Sequence, residues 1–326
     1  MFKVQKQVIE SLMGQEWLNR SVNRIKGHPA YLKLEVCNKL ISQNGSIRWP
    51  EDLEIIKEIC LIQLDNFDLI QMSGTEIDKF DMKSLILGNF ISYGDVKVQN
   101  RLRSILEEPI HFLSQITELN FASWAKCKGF EVTANEDEGA PDFLISNGED
   151  VYQVECKRII GTLNQNRIKK DITKANSQFK SVNSEVPNIV YIDLSDVIDS
   201  NNFLIDDVHG FEDPIQDNII SEVKSTIIRA LAHQNSSVSA VLISWVDYRI
   251  FGGPCKKNAF ARYSMNRKSI LIHHNKPATS LDENSQLLEF GGNISFNSRF
   301  PKIRFNRNTR CPLGKGIRYK HCCGQL

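Results

Sequence analysis

The sequence predicts an α/β fold built on a mixed β-sheet, and three observations predict it. Two apolar runs, 140–145 and 151–156, flank Asn147-Gly148, the strongest short-range signal for a hairpin. Ile168, Ile172, Ala175 and Phe179 recur at the spacing of one buried helix face. Two mostly apolar strand candidates, 187–194 and 238–246, bracket a helical pattern at Ile215, Ile219, Val223 and Ile227. Strand, helix and strand form the crossover unit of a parallel or mixed sheet, right-handed by default.

Residues 1–105 read as helical, with apolar patterns at Val8 to Leu12, Trp17-Leu18, Tyr31 to Leu40 and Leu53 to Leu64. Pro50 followed by Glu51-Asp52 suits a helix start, with acids at the positive end of the dipole. This region carries no chemical signature; it can recognise a partner, gate a neighbour or complete a core.

The central region, 106–275, carries the chemistry. Pro109 opens a helix spanning 111–128, and Gly129 suits its C-terminal cap. Phe130-Glu131-Val132 begins the first strand. The acidic loop 135–139 either adds negative potential or is a solvated turn. The second strand starts at Pro141-Asp142, and the third holds Glu155-Cys156-Lys157. Side chains alternate along a strand, so Glu155 and Lys157 share one face and Val154 and Cys156 the other. One face is expected to pack and the other to carry charge, with Asp142 near Glu155. Two carboxylates suit Mg²⁺ or Mn²⁺, which keeps waters and substrate phosphate oxygens in its shell. A lysine beside them can position a water or offset charge growing on a phosphate. The chemistry implied is phosphodiester hydrolysis.

Pro141-Asp142, twelve intervening residues and Glu155-Cys156-Lys157 resemble the motif of the PD-(D/E)XK nuclease superfamily, the restriction-endonuclease-like fold. Acidic-x-Lys triplets occur elsewhere in the chain (Asp81, Asp95, Glu222), but Pro141 is the only proline followed by Asp. The resemblance implies an αβββαβ core with a mixed sheet and Mg²⁺-dependent cleavage of DNA, or less often RNA. It also implies a glutamate on the preceding helix, for which Glu118 is the candidate. Defence against foreign DNA and DNA repair are the settings it suggests.

Beyond the motif, Arg167, Lys170, Lys174 and Gln178 fall opposite the apolar stripe of the next helix. This face either holds a nucleic-acid backbone beside the site, through Lys170, Lys174 and Gln178, or is simply solvated. Residues 268–274 add an edge strand, and His273 and His274 read as structural.

A linker is expected over 276–304, followed by a small tail, 305–326. The tail runs Cys311-Pro312-Leu313-Gly314-Lys315-Gly316, then Arg318-Tyr319-Lys320-His321-Cys322-Cys323. It resembles the SEC-C motif, a small zinc-binding tail, with Leu313 where that family has its second cysteine. The resemblance implies a Zn²⁺ site drawn from Cys311, Cys322 and Cys323, with His321 the nearest substitute fourth ligand. Arg318 and Lys320 beside Tyr319 suit phosphate contact and base stacking. In that family such tails also bind protein partners.

At 326 residues, 41% apolar and 24% charged, the chain has the composition of a globular protein. The longest apolar stretch, 238–246, is far short of a membrane span, and no signal-like run opens the sequence, so a cytoplasmic protein is expected. The net charge of +1 hides an asymmetry. From Tyr248 onward fifteen Lys or Arg face three acids, whereas 25 basic side chains face 36 acidic ones before it. Such a basic block is the footprint of a phosphate-binding surface or a solvated tail. The expected function is a metal-dependent endonuclease. The alternative is a protein on the same fold that binds nucleic acid or a partner without cutting.

Overall fold

The computed structural model describes residues 6, 9–10, 13–20, 27–42, 46–49, 107–127, 129–135, 137, 139–148, 150–182, 185–198, 204–205, 214–232, 236–252, 261–274, 292–299, 302–305, 308 and 318. Helices α1 (Gln15–Leu18) and α2 (Pro29–Ser42) precede a short strand, β1 (Ser46–Trp49). The helical expectation for the N-terminal region therefore needs correction at β1, which pairs in parallel with β10 (Lys302–Phe305). The helix expected at 53–64 lies outside the described residues.

Helix α3 (Pro109–Cys127) begins at its proline, whose missing N–H falls where a helix start has no backbone acceptor. It stops where Gly129 takes φ 87° and the Phe130 N–H returns to the Ala125 carbonyl at 3.1 Å. The ring of His28 lies edge-on between Trp17, 5.1 Å away, and Phe112 of α3, 5.2 Å away. Its Nδ1 accepts the Ala30 N–H at 3.1 Å. All three side chains are buried, so α1, the start of α2 and α3 share one aromatic contact.

Eight strands among the described residues build the main sheet. They are β2 (Glu131–Ala134), β3 (Phe143–Ser146), β4 (Val151–Arg158), β5 (Asn188–Asp193), β6 (Leu204–Ile205), β7 (Ala240–Gly252), β8 (Ala261–His273) and β9 (Gly292–Arg299). The order is β2-β3-β4-β5-β7-β8-β9, with β6 beside the outer part of β7. Pairing is antiparallel on both flanks and parallel where β4, β5 and β7 meet. From α3 onward the chain runs α-β-β-β-α-β, with α4 (Gln165–Val182) between β4 and β5. Helix α5 (Pro214–Leu231) joins β5 to β7.

The sheet is covered on both sides, which explains why β5 is a continuous apolar run rather than an alternating one. On one face Ile168, Ile172, Ala175 and Phe179 of α4 meet Val190, Ile192, Val241 and Ile243, as the helical spacing predicts, and α5 adds Val223 and Ile227. On the other face Phe121, Ala122 and Ala125 of α3 pack on Phe143, Ile145, Val154, Tyr191 and Leu242.

Several expectations are corrected by this packing. The hairpin turn is a four-residue loop, 147–150, closed by Asn147, whose N–H donates to the Asp150 carbonyl at 3.1 Å while its Oδ1 accepts the Asp150 N–H at 2.8 Å. Strand β4 is buried along most of its length, with α4 lying over the face that carries Glu155 and Lys157. Strand β8 is longer than foreseen and is not an edge, since β9 pairs outside it. The stretch expected as a linker supplies β9 and β10. No helix among the described residues is long and apolar enough to cross a membrane.

Phe179 is 1% exposed and is one of the knobs that seat α4 on the sheet. Phe179→Ala should cost about 3–5 kcal/mol in urea unfolding, the range for a buried aromatic that leaves a cavity.

Candidate active site

Four of the singled-out side chains converge at the junction of α3, the start of β3 and the C-terminal half of β4. Glu155 and Lys157 stand two residues apart on β4, and the Lys157 ammonium contacts Glu155 Oε1. Glu155 is 2% exposed, and its Oε2 is buried with no hydrogen-bond partner among the described residues. Asp142 lies just ahead of β3, where its Oδ2 accepts the Cys156 N–H at 2.7 Å. The Pro-Asp loop is thereby tied to the strand carrying Glu155 and Lys157.

Glu118 comes from α3 and accepts a hydrogen bond from Gln115 Nε2 at 2.7 Å. Its position one turn above Gln115 follows from helical spacing. It lies close enough to Asp142 and Glu155 to feel both charges.

Acids dominate this cluster. Burial, followed by the Glu155 charge, lifts the Asp142 carboxyl to about 7. Burial and then Asp142 push Glu118 well above the usual carboxylate range. Burial works against the charged form of Lys157, but the Glu155 charge and hydrogen bond outweigh it, and its pKa rises above the ordinary lysine value. The Cys156 thiol between them is pushed well up by burial, with Asp142 adding to the effect. It is therefore an inert core thiol rather than a nucleophile.

Three carboxyl groups share one ammonium; the raised pKa values of Asp142 and Glu118 keep them from being fully ionised, and one buried Glu155 oxygen has no partner among the described residues. Among the described residues no three His, Cys, Asp or Glu side chains gather tightly enough to cage an ion by themselves. Mg²⁺ does not require such a cage, because it binds through one or two carboxylates and retains waters. Asp142 and Glu155 fit that donor set, the orphaned Glu155 oxygen is the group such an ion would satisfy, and Glu118 stands behind them.

Helix α4 divides the basic face expected of it. Lys174 lies within electrostatic reach of Asp142. Lys170 is exposed and lies within electrostatic reach of Asp171. Gln178 is partly buried: its Nε2 donates to the Ala140 carbonyl at 3.3 Å, and its Oε1 is buried with no partner among the described residues. Through that bond it braces the loop that presents Asp142. Asn135 Nδ2 braces the same loop through the Pro141 carbonyl at 2.6 Å. Of the tail, Arg318 is exposed, while Cys311, Lys320, His321, Cys322 and Cys323 lie outside the described residues. His274 is structural as expected, its Nδ1 lying 3.1 Å from the Val238 carbonyl oxygen.

Two contributors were missed in the sequence. Arg158, beside Lys157, is 6% exposed and points to the opposite face of β4. Its guanidinium forks onto Asp196, Nε to Oδ2 at 2.7 Å and the second nitrogen to Oδ1 at 3.1 Å, and a further nitrogen reaches Thr117 Oγ1 at 3.2 Å. Asp193 Oδ2 lies 3.8 Å away. Thr117 precedes Glu118, so this network fixes α3 against the strand that carries the site. The available signal was strand alternation, which puts Arg158 on the packed face, where a charge needs a partner. Asp171 is the second: it shares the α4 face with Lys174 and Gln178 and feels the Lys157 charge.

Arg158→Ala should cost about 3–5 kcal/mol in urea unfolding, because the buried acids lose their counter-charge. Asp142 should make the metal-free protein pH-sensitive. Below about pH 4, the usual aspartate value, both folded and unfolded chains hold the proton and the effect is nil. Between there and about 7 only the unfolded chain ionises, so stability falls as pH rises, and above about 7 the full penalty of a few kcal/mol persists. In EDTA, Asp142→Asn should be more stable than the wild type at pH 8, with the gap closing toward pH 4; parallel curves would contradict this account.

No family model matches this chain, and no curated protein matches it.

Proposed function

We propose that this protein is a metal-dependent nuclease that hydrolyses phosphodiester bonds, with DNA favoured over RNA. The observation that carries the reading is the buried set of Asp142, Glu155 and Lys157, in which one Glu155 oxygen has no partner among the described residues. Buried carboxylate oxygens are ordinarily hydrogen-bonded, so an unpartnered one with two further carboxyl groups within electrostatic reach favours a bound cation over a purely structural ion pair. The α-β-β-β-α-β order around the motif supports the same reading.

Asp142 and Glu155 would hold Mg²⁺ or Mn²⁺, with Glu118 as a third carboxyl. Such an ion polarises a phosphoryl oxygen and lowers the pKa of a bound water. Glu155 fixes Lys157 in place, and the raised lysine pKa keeps it charged at neutral pH. Lys157 therefore acts as a donor, orienting the attacking water and countering charge on the phosphate, rather than as a base. Lys174 adds positive potential from α4 beside Asp142. The Cys–His cluster of the tail supports a separate Zn²⁺ site.

Supercoiled plasmid, linear duplex, single-stranded DNA and RNA should be incubated with the protein in Mg²⁺, Mn²⁺ or EDTA. Cleavage should need the metal, and Lys157→Ala or Asp142→Ala should reduce the rate at least about a hundredfold with the fold intact by circular dichroism. Full activity in either variant would remove the assignment. Binding without products on all four substrates would favour the non-cutting alternative.

A further inference from the structure

Buried acceptors without donors gather along one face of the sheet. Among the described residues six buried side-chain polar atoms have no hydrogen-bond partner, and four of them are the oxygens Glu155 Oε2, Gln153 Oε1, Gln178 Oε1 and Asn188 Oδ1. Register puts the strand residues on one side. Gln153 pairs with Asn188 and Glu155 with Val190, and Val190 belongs to the core that α4 covers. Gln153, Glu155 and Lys157 therefore lie on the α4 side of β4, with Asn188 beside Gln153 on β5. Gln178 reaches the same region from α4, where its Nε2 is engaged by the carbonyl of Ala140, two residues ahead of Asp142.

Two of the amides cannot be turned round to cure the shortage. Gln178 Nε2 donates to a carbonyl, and Asn188 Nδ2 donates to the Ser237 carbonyl at 2.8 Å, so their oxygens are fixed as acceptors. Gln153 is 5% exposed and Asn188 3%, so bulk water does not serve them. An unpaired buried acceptor costs free energy, and folded proteins keep few of them. Four in one layer around a carboxylate call for a common source of donors.

A hydrated cation is such a source. Mg²⁺ gives up water reluctantly and keeps several waters when one or two carboxylates hold it. Each of those waters is a strong donor that needs an acceptor. Ion-to-oxygen distances are about 2.1 Å and the hydrogen bond beyond about 2.7 Å, so an acceptor for the water shell stands within about 7 Å of the carboxylate that binds the ion. Two residues along a strand are separated by about 6.6 Å, and Gln153 stands two residues from Glu155 on the same face.

We propose that Gln153 and Gln178 are positioning residues for the water shell of the metal ion at Asp142 and Glu155, their amide oxygens accepting from waters bound to that ion. The inference rests on the metal-dependent reading above and adds which uncharged side chains orient the shell from which an attacking water is drawn. Asn188, beside Gln153, extends the row of acceptors away from the ion. The competing account is a structural water held between the amides, which would stabilise the fold with or without metal.

The test is Mg²⁺ titration of the full chain by isothermal calorimetry without nucleic acid, alongside urea unfolding in EDTA. Gln153→Met keeps the length of the side chain and removes its acceptor. It should weaken Mg²⁺ binding at least about tenfold, the usual effect of removing a partner of the metal's ligands, while in EDTA it is as stable as the wild type or more so. Gln153→Glu keeps an acceptor and should bind Mg²⁺ at least as tightly as the wild type. Gln178→Met should also weaken binding about tenfold, and it decides alone if Gln153→Met does not fold by circular dichroism. Wild-type Mg²⁺ affinity in the Met variants would overturn the inference, and a loss of stability in EDTA would then assign the amides to a structural water. If the wild type binds no Mg²⁺, or Glu155→Gln binds it equally well, the metal reading falls and this inference with it. A wild type that binds and a Glu155→Gln variant that does not leave that reading standing whatever the glutamine variants show.

Discussion

A carboxylate buried in the middle of a sheet is the constraint on which the rest of the structure depends. Glu155 sits on a strand covered on both faces, where an isolated charge would cost several kcal/mol even after relaxation. Lys157, two residues along and on the same face, offsets part of that cost but satisfies only one of the two carboxylate oxygens. The remaining oxygen has Asp142 and Glu118 within electrostatic reach, and the fold accommodates the three acids by raising the pKa values of those two carboxyls. Such an arrangement is destabilising unless something positive comes to it, and this links the energetics of the fold to its proposed chemistry.

The surrounding structure holds that unfavourable arrangement in place. Asp142 cannot swing away from Glu155, because the Cys156 amide grips its carboxylate and Gln178 and Asn135 hold the carbonyls of the two residues before it. Glu118 cannot retreat easily, because Arg158 bonds Thr117 beside it while forking onto Asp196. Arg158 and Lys157 are neighbours with opposite roles. One sits on the α3 face and locks helix to strand; the other sits on the α4 face and is held charged beside the acids. Alternation along a single strand separates the two roles.

The N-terminal helices enter the same logic from the far side. Trp17, His28 and Phe112 form a buried aromatic contact on α3, less than two turns ahead of Glu118. A change in how α1 and α2 pack would therefore reach the helix that supplies the third carboxyl. The packing of these described helices thus bears on the site through the body of α3.

By itself the sequence determined what is local. The α4 stripe, the proline start and glycine stop of α3, the order of elements and the spacing that brings Asp142 to Glu155 all follow from periodicity, turn chemistry and alternation over a few residues. Alternation even carried the split between Lys157 and Arg158, although the partners of Arg158 lie forty residues away in either direction. Tertiary structure alone decided what depends on distant neighbours. Burial of the charged face of β4 needed α4 to fold over it, and the bracing role of Gln178 needed the Pro-Asp loop to pass beneath that helix. The pairing of β9 with β8, and of β1 with β10 across the length of the chain, likewise left no local trace. Strand propensity is the same whether a partner is present or absent, so the sequence showed that segments could extend, and only the assembled sheet decided beside what.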